Sequence, residues 1–423
     1  MRLPRLPEFA CLTSLLFVLP RIQAADWPLA SVAPGAAGVS AERLTIMHQT
    51  LDREVAAGRY SGYVTVVARD GRLIDWHAGG MRDIEAQAPM RQDAIFRIAS
   101  MSKLVTSVGL MMLLEDGRLL LSDPVEKYLP ALKDRVVFTG GTVEAPTTVP
   151  AAHAITIREL LNHTAGYFYN APWSADPLPS ALMARAKLWE ARDLDEFVQR
   201  VATVPLHQQP GTRFRYGIHV DLLGAIIEKI SGQRLDRFLQ ERIFGPLAMR
   251  DSSFFVPDEK RSRLAQLYQL ADGKLKPAPD FLPRPTPERG VLSGGGGLYS
   301  TAGDYLRFAQ MLANGGELDG VRILSRKTVE LMTSNTLTQL SDPHPFGQAD
   351  LGFGLGVRIV TNLGQSRHLG SVGMFGWDGL ATTLYWIDPK EHLVSILMTQ
   401  HLPYNEDDIF ASFMNGLYGA LEK

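Results

Sequence analysis

Two β-hairpins, one near each end of the chain, constrain the fold more than any other feature of the sequence. The first runs from Gly62 to Met81, where β-branched and aromatic residues surround Asp70-Gly71, a pair favoured in two-residue hairpin turns. The second joins Leu380–Ile387 to Leu393–Gln400 through a turn containing Asp-Pro. Antiparallel strands at both ends predict one sheet to which both ends of the chain contribute.

The sequence between the hairpins is mainly helical in pattern. Apolar residues recur every three to four positions, and stop signals such as Asp116-Gly117 and Ser231-Gly232 follow. The predicted helices are Leu104–Glu115, Leu194–Ala202, Leu222–Ile230, Asp304–Ala313 and a final amphipathic helix, Asp407–Leu421. Two stretches, Phe138–Pro150 and Pro277–Pro287, are predicted to be loops. The fold class is therefore α+β: an antiparallel sheet flanked by helices, with a helical insertion and a cleft between the two.

The first 25 residues have the layout of a cleavable signal peptide. Arg2 and Arg5 precede an apolar run, Cys11–Leu19, and the small residues Ala24-Ala25 follow it. The run is too short to span a bilayer, so we expect a periplasmic or secreted protein without a stable membrane span. A disordered or helical extension is the alternative. Because Cys11 is the only cysteine, removal of residues 1–25 would exclude disulfides, a thiol nucleophile and cysteine-based metal sites.

Charge and motifs exclude several further classes. Lys and Arg number 43 against 45 Asp and Glu, so no basic excess points to nucleic acid or to an anionic membrane surface. The chain contains no Gly-x-Ser-x-Gly elbow, no Gly-x-Gly-x-x-Gly pattern and no His-Glu-x-x-His pattern. Nucleotide, zinc and Ser-His-Asp chemistry lose support, and a small molecule is the expected partner.

Ser100-x-x-Lys103 is the one Ser-x-x-Lys in the chain, and its position gives it meaning. Ala94–Ala99 reads as extended chain and an apolar helix follows, so Ser100 lies near the unpaired N–H groups at a helix start. Lys103 lies one turn later on the same face. A buried lysine has a lowered pKa and can accept the serine proton. The alternative is a helix cap followed by a solvated lysine.

A serine–lysine hydrolase also needs a proton donor for the leaving group and two N–H donors for the oxyanion. Tyr216, just before a predicted helix, offers the first if Lys103 lowers its pKa; the alternative is a half-buried packing tyrosine. Gly373–Leu380 offers the second, because an edge strand with glycines permits close backbone approach, so that the N–H of Leu380 faces that of Ser100. The alternative is a plain turn with a core tryptophan.

The Ser-x-x-Lys motif, the tyrosine and the glycine-bearing strand follow one another along the chain in a characteristic order. In this order the sequence resembles the serine β-lactamase and penicillin-binding-protein superfamily, specifically its class C-like branch and, within that, the family VIII carboxylesterases. Further matching segments are Ile155–Gly166, "ITIRELLNHTAG", Tyr216–Gly232, "YGIHVDLLGAIIEKISG", and Ser293–Phe308, "SGGGGLYSTAGDYLRF". The resemblance extends from about Ser40 to Gln400. It implies a β-lactamase/transpeptidase-like fold over residues 26–423, with an α/β lobe at 26–107 and 290–423 and a mainly helical lobe at 108–289.

The resemblance also implies roles for individual residues. Ser100 would be the acylated nucleophile, Lys103 its general base, and Tyr216 the group that helps to deprotonate Ser100 and protonates the leaving group. The backbone N–H groups of Ser100 and Leu380 would form the oxyanion hole. Trp377-Asp378-Gly379 would take the place of the Lys-Thr-Gly strand of β-lactamases and bind substrate. No metal or organic cofactor is implied.

Two departures from the superfamily pattern bear on the substrate. Tyr216-Gly217-Ile218 stands where Tyr-x-Asn is usual, and Trp377 replaces a cation while Asp378 adds a negative charge. A penicillin or a stem peptide presents a carboxylate that needs a positive partner. The sequence therefore favours hydrolysis of neutral acyl esters whose apolar acyl group stacks near Trp377. The alternatives are a β-lactamase, a D-amino-acid peptidase or amide hydrolase of the same fold, and a non-catalytic penicillin- or muropeptide-binding protein.

Two other motifs have structural interpretations. His163, in the Asn162-His163-Thr164 turn, is interpreted as a turn residue, because the serine–lysine pair leaves no task for another base. Gly294–Gly297 is interpreted as a tight passage beside the floor of the active site and not as a phosphate cradle.

Overall fold

The fold is described from a computed structural model covering residues 27–169, 176–278, 285–287 and 289–422. The predicted signal peptide, residues 1–25, lies outside these residues, and so does the middle of the predicted loop Pro277–Pro287. Within the described ranges, no helix is long and apolar enough to cross a membrane.

The helices alternate with short strands along the chain. The α-helices are α1 (Ala41–Ala56), α2 (Ser102–Glu115), α3 (Ile157–Leu161), α4 (Pro177–Arg185), α5 (Leu194–Ala202), α6 (His219–Ser231), α7 (Leu235–Leu239), α8 (Ala302–Ala313), α9 (Arg326–Met332) and α10 (Ile409–Tyr418). The strands are β1 (Gly62–Arg69), β2 (Arg72–Asp83), β3 (Ala88–Pro89), β4 (Phe96–Arg97), β5 (Val136–Gly141), β6 (Pro146–Pro150), β7 (Tyr268–Ala271), β8 (Lys274–Pro277), β9 (Tyr299–Ser300), β10 (Glu317–Leu318), β11 (Val321–Arg322), β12 (Leu351–Phe353), β13 (Arg358–Val360), β14 (Phe375–Gly379), β15 (Thr383–Asp388), β16 (Leu393–Met398) and β17 (His401–Leu402).

The main sheet confirms the prediction made from the two hairpins. Its eight strands run in the order β12-β13-β14-β15-β16-β1-β2-β3, and each neighbouring pair is antiparallel. The two ends of the chain meet where β1 pairs with β16, with Val64 opposite Met398. The predicted antiparallel sheet flanked by helices is therefore correct, whereas the division into lobes at residues 107 and 290 stays a prediction.

Each face of this sheet has its own apolar core. On one face, α1 and α10 pack on side chains such as Trp386 and Leu397. On the other face, α8 packs across β1, β15 and β16, and the same core continues through α2 into α5, α6 and α7. The alternation of side chains along a strand divides them between the two cores: Val64 and Val66 belong to the second and Val67 to the first. Burial on both faces explains why β1, β15 and β16 are apolar at most of their positions.

Several predicted boundaries were wrong. Helices α2, α6 and α8 begin two or three residues earlier than predicted, because their first turns carry polar or small residues that break the apolar pattern, while α10 is shorter at both ends. The predicted strand Leu380–Ile387 begins only at Thr383. Phe138–Pro150 was predicted to be a loop, yet β5 and β6 form a hairpin there. That hairpin is largely exposed and β6 wholly so, and it therefore lacks the apolar alternation that marks a strand with one buried face.

Candidate active site

Ser100 lies in a tight turn that joins β4 to α2. The turn, Ala99–Met101, is a single 3₁₀ turn, and Ala99 adopts a positive φ of 42° that few residues other than glycine accept. Ser102 holds this turn, because its hydroxyl donates to the Ala99 carbonyl (2.6 Å) and accepts from the Leu298 N–H (3.1 Å). The result is a half-buried serine at the N-terminal end of a buried helix, where the positive end of the helix dipole favours negative charge.

Lys103 is buried, with 1% of its surface exposed, and its ammonium has three close oxygen neighbours. Nζ lies 3.1 Å from Ser100 Oγ, 3.2 Å from the Tyr169 hydroxyl and 2.6 Å from the Gly295 carbonyl oxygen. Burial lowers the pKa of Lys103 to about 8, although the charges of Asp221 and Asp378 oppose that shift. The lysine is therefore no solvated surface residue, and near neutral pH part of the population carries the neutral amine that a base requires.

Tyr216 stands on the other side of Lys103. Lys103 Nζ lies 4.6 Å from the centre of the phenol ring, and the indole N–H of Trp377 donates to the phenol oxygen (3.3 Å). Burial raises the pKa of Tyr216 above its usual value, although hydrogen bonds with Ser100 and Trp377 act in the opposite direction. The condition that Lys103 lowers this pKa is not met, because burial is the largest influence on the phenol and raises its pKa. Tyr216 is a neutral phenol and can donate a proton.

Strand β14 brings the Trp377-Asp378-Gly379 segment to the turn that carries Ser100. Within the described residues β14 is an interior strand, not the predicted edge strand, but its pairing with β13 is limited to Phe375 and Gly376. A Cβ atom at Gly379 would clash with the Ile98 carbonyl oxygen, so only glycine permits this approach. Leu380 follows in the turn after the strand. The structure thus brings together the two segments whose N–H groups were predicted to form the oxyanion hole.

Trp377 and Asp378 differ from the surroundings predicted for them. Trp377 is only 3% exposed, because the rings of Tyr216 and Phe353, each 5.3 Å away between centroids, cover it; little surface is left on which an acyl group can stack. Phe346, in contrast, is open to solvent: it is 51% exposed and its ring lies 5.7 Å from the Tyr216 ring. Asp378 is paired with Arg358 at 2.8 Å, so the segment does contain a cation, already bound to an internal carboxylate.

A glycine-rich segment closes the site behind Lys103. Gly294–Gly297 forms the tight passage predicted for it: the carbonyl of Gly294 accepts from Thr106, and the N–H of Gly295 donates to the buried carboxylate of Asp221 (3.0 Å). A Cβ atom at Gly295 would lie 2.6 Å from Asp221 Oδ2. The passage therefore fixes the Gly295 carbonyl that accepts from Lys103.

His163 packs against the ring of Tyr216. It is fully buried, has a positive φ of 59°, and its Nδ1 atom lies 2.8 Å from Nδ1 of His219. Burial lowers the pKa of both imidazoles, in the case of His219 to about 3, so both rings are neutral. Their contacts are those of packing residues that support the Tyr216 ring, at 5.0 Å from His163.

Sequence reasoning missed Tyr169, Asp221 and Arg358. Tyr169 follows the Ile155–Gly166 segment by three residues, and Asp221 lies within the Tyr216–Gly232 segment, so both occur next to motifs that were recognised. Their contacts with Lys103 and Gly295 join parts of the chain that are remote in sequence, and no local spacing signals them. Arg358 lies in a short strand with no motif at all.

A half-buried serine, a buried lysine of lowered pKa and a neutral phenol in mutual contact define a serine hydrolase. The fold places that centre between a sheet and a helical layer. The chain belongs to the Beta-lactamase family, whose model matches residues 47–413.

Individual relatives agree with this assignment. The chain is 38% identical to an uncharacterized protein of Mycobacterium tuberculosis (strain CDC 1551 / Oshkosh) over 84% of its own length and 90% of the relative's. It is 32% identical to esterase EstB of Burkholderia gladioli, over 68% and 75% of the two chains. Among solved structures, the unliganded simvastatin synthase LovD of Aspergillus terreus (selenomethionyl derivative) matches with a TM-score of 0.77 and 26% identity, over 90% and 99% of the two chains.

Proposed function

We propose that this protein is an exported hydrolase that cleaves carboxylic esters through an acyl-enzyme on Ser100. The observation that carries the proposal is the contact of 3.1 Å between Ser100 Oγ and the buried amine of Lys103, whose pKa lies near 8. Such an amine is a competent base under ordinary conditions, in contrast to a solvated lysine. Similarity to an esterase supports the choice of substrate class.

Acylation uses the three side chains in turn. The neutral amine of Lys103 takes the proton of Ser100 while Oγ bonds to the ester carbonyl carbon. The N–H groups of Ser100 and Leu380 stabilise the oxyanion that forms. When the C–O bond to the alcohol breaks, the leaving oxygen takes the phenol proton of Tyr216, which regains a proton from the ammonium of Lys103.

Deacylation repeats the sequence with water as nucleophile. Water gives one proton to Lys103 and its oxygen bonds to the acyl carbon. Ser100 Oγ leaves with a proton that Tyr216 passes on from Lys103. The products are a carboxylic acid and an alcohol, and each side chain returns to its starting protonation state.

The surroundings of Tyr216 support an uncharged substrate. The phenol must lie beside the leaving oxygen, and the exposed ring of Phe346 lies next to that phenol. An apolar part of the ester can cover this ring, which removes apolar surface from water. Export rests on the predicted signal peptide at residues 1–25.

The test is a hydrolysis panel on the purified protein. It contains p-nitrophenyl esters of increasing acyl length, a chromogenic cephalosporin and D-alanyl-D-alanine peptides, each measured with the wild type, Ser100→Ala and the exposed-serine control Ser334→Ala. We expect the highest kcat/KM on the short esters. Ser100→Ala should lose turnover, whereas the control Ser334→Ala should keep the turnover of the wild type. Full turnover by Ser100→Ala, or preference for the cephalosporin, would overturn the proposal.

A further inference from the structure

We propose that Asp378 is an internal substitute for a substrate carboxylate: it occupies Arg358 and thereby excludes esters that carry a negative charge near the leaving group. The inference deepens the proposed function and rests on it for its kinetic test. Its basis is the ion pair in which Arg358 Nη1 lies 2.8 Å from Asp378 Oδ2. The pair joins β13 to β14, the strand that lies against the Ser100 turn.

The pair is largely removed from water. Each of its side chains is 13% exposed, and the guanidinium carbon of Arg358 lies 5.1 Å from the ring centre of Trp377 and 4.7 Å from that of Trp386. A cation in such surroundings requires a negative partner, because an unpaired charge is costly to bury. Within the described residues Asp378 supplies that partner.

The negative end of the pair lies next to the catalytic groups, because Asp378 follows Trp377, whose indole N–H donates to the phenol oxygen of Tyr216 (3.3 Å). The charge of Asp378 opposes the lowering of the Lys103 pKa and adds to the raised pKa of Tyr216, which shows that the carboxylate is close enough to influence both. A substrate carboxylate at this place would meet a carboxylate and not a free guanidinium, so repulsion would reject it.

An arginine freed from Asp378 would bind a carboxylate well. The planar guanidinium matches a carboxylate with two parallel N–H donors, and such charged hydrogen bonds are among the strong ones in proteins. Asp378 therefore determines which charge the site accepts. Arg358 could bind a carboxylate, but its guanidinium is already paired with Asp378.

The kinetic test compares two esters that differ only in charge: 3-carboxyphenyl acetate and 3-carbamoylphenyl acetate. The wild type is expected to prefer the carbamoyl ester by roughly tenfold or more in kcat/KM, the factor that one charged hydrogen bond can supply. Asp378→Asn should narrow or reverse this ratio, whereas Glu330→Gln, which removes one negative charge from the exposed face of α9, should keep it. Equal turnover of both esters by the wild type, or an unchanged ratio in folded Asp378→Asn, overturns the proposal.

A second measurement does not depend on turnover. Benzoate should raise the melting temperature of Asp378→Ala, because the freed Arg358 binds it, and should leave the wild type unchanged. The double variant Arg358→Met with Asp378→Asn removes both charges and should show no effect of benzoate. Failure of benzoate to stabilise Asp378→Ala refutes the inference. If the wild type hydrolyses no ester at all, the proposed function fails, and the benzoate measurement still decides this one.

Loss of one partner of a buried pair can prevent folding, and the test allows for this. If the single variants of Asp378 do not fold, the wild-type ratio and the double variant decide. A strong wild-type preference for the carbamoyl ester that shrinks in the double variant supports the proposal. The same preference in both proteins overturns it.

Discussion

Replacing Asp221 by asparagine is expected to make the proposed base, Lys103, easier to deprotonate. The carboxylate raises the pKa of Lys103 through its charge, and the two groups are linked by Gly295, whose carbonyl accepts from Nζ (2.6 Å) and whose N–H donates to Asp221 Oδ1 (3.0 Å). Given the dimensions of one residue, these contacts place Nζ and Oδ1 at most about 9 Å apart. At an effective dielectric constant of about 20, the attraction is then about 2 kcal/mol, or more than one pKa unit.

The sign of the effect follows from the role of the neutral amine. Activity rises with pH as Lys103 loses its proton, with a midpoint near its pKa of about 8 in the wild type. Without the negative charge the ammonium is less stable, so the midpoint of Asp221→Asn should move to lower pH by about one unit or more. At acidic pH the variant should therefore keep a larger fraction of its own plateau activity than the wild type does.

The assay is kcat/KM for p-nitrophenyl acetate as a function of pH, read at the isosbestic wavelength of the product. Asp304→Asn is the control, since Asp304 is equally buried but interacts with Ser252 and Asp251. It should leave the midpoint unchanged. An unshifted midpoint in Asp221→Asn, or a shift to higher pH, would refute the reasoning that an ionised Asp221 holds the proton on Lys103.

Three further substitutions test the site. Lys103→Arg keeps the charge but cannot lose it, so kcat/KM for p-nitrophenyl butyrate should fall about a thousandfold; near-normal turnover would contradict the role of base. Tyr216→Phe should slow the hydrolysis of ethyl butyrate, measured by pH-stat, more than that of p-nitrophenyl butyrate, because an alkoxide leaving group depends more on protonation than p-nitrophenolate does. Equal losses on the two esters would argue against Tyr216 as proton donor. Gly295→Ala places Cβ 2.6 Å from Asp221 Oδ2 and should cost about 1–3 kcal/mol of unfolding free energy in thermal melts, whereas Gly35→Ala, with open space around it, should not; equal melting temperatures would contradict the close approach.

The sequence allowed a correct prediction of the sheet because its pattern is local. Hairpin turns such as Asp70-Gly71 and the spacing of apolar residues act over a few positions, and they indicated which segments pair and which are helical. The boundaries of α2, α6 and α8 were harder to predict, since the first turn of a helix is decided by caps and tertiary contacts. The β5–β6 hairpin was missed because it buries little of its surface.

The site was predictable where motifs carry it and unpredictable where only the fold does. Ser100, Lys103 and Tyr216 lie together as the spacing and the resemblance indicated. The partner of Asp378 could not be foreseen, because Arg358 is brought to it by the pairing of β13 with β14. Nor could the sequence show that Trp377 is covered, or that burial raises the pKa of Tyr216, since both depend on what surrounds a side chain in three dimensions.

The pairing of β1 with β16 has a consequence for the newly made chain. Ser100 and Lys103 are synthesised early, whereas β14 and Leu380 come from the last part of the sequence, and the sheet joins them only when the two ends meet. Contacts so remote in sequence form slowly, because the loop between them must be closed first. Until then the nucleophile has no strand opposite it. Assembly of the sheet is therefore the step that would switch the enzyme on, and a chain still being synthesised would carry its serine in an inactive form.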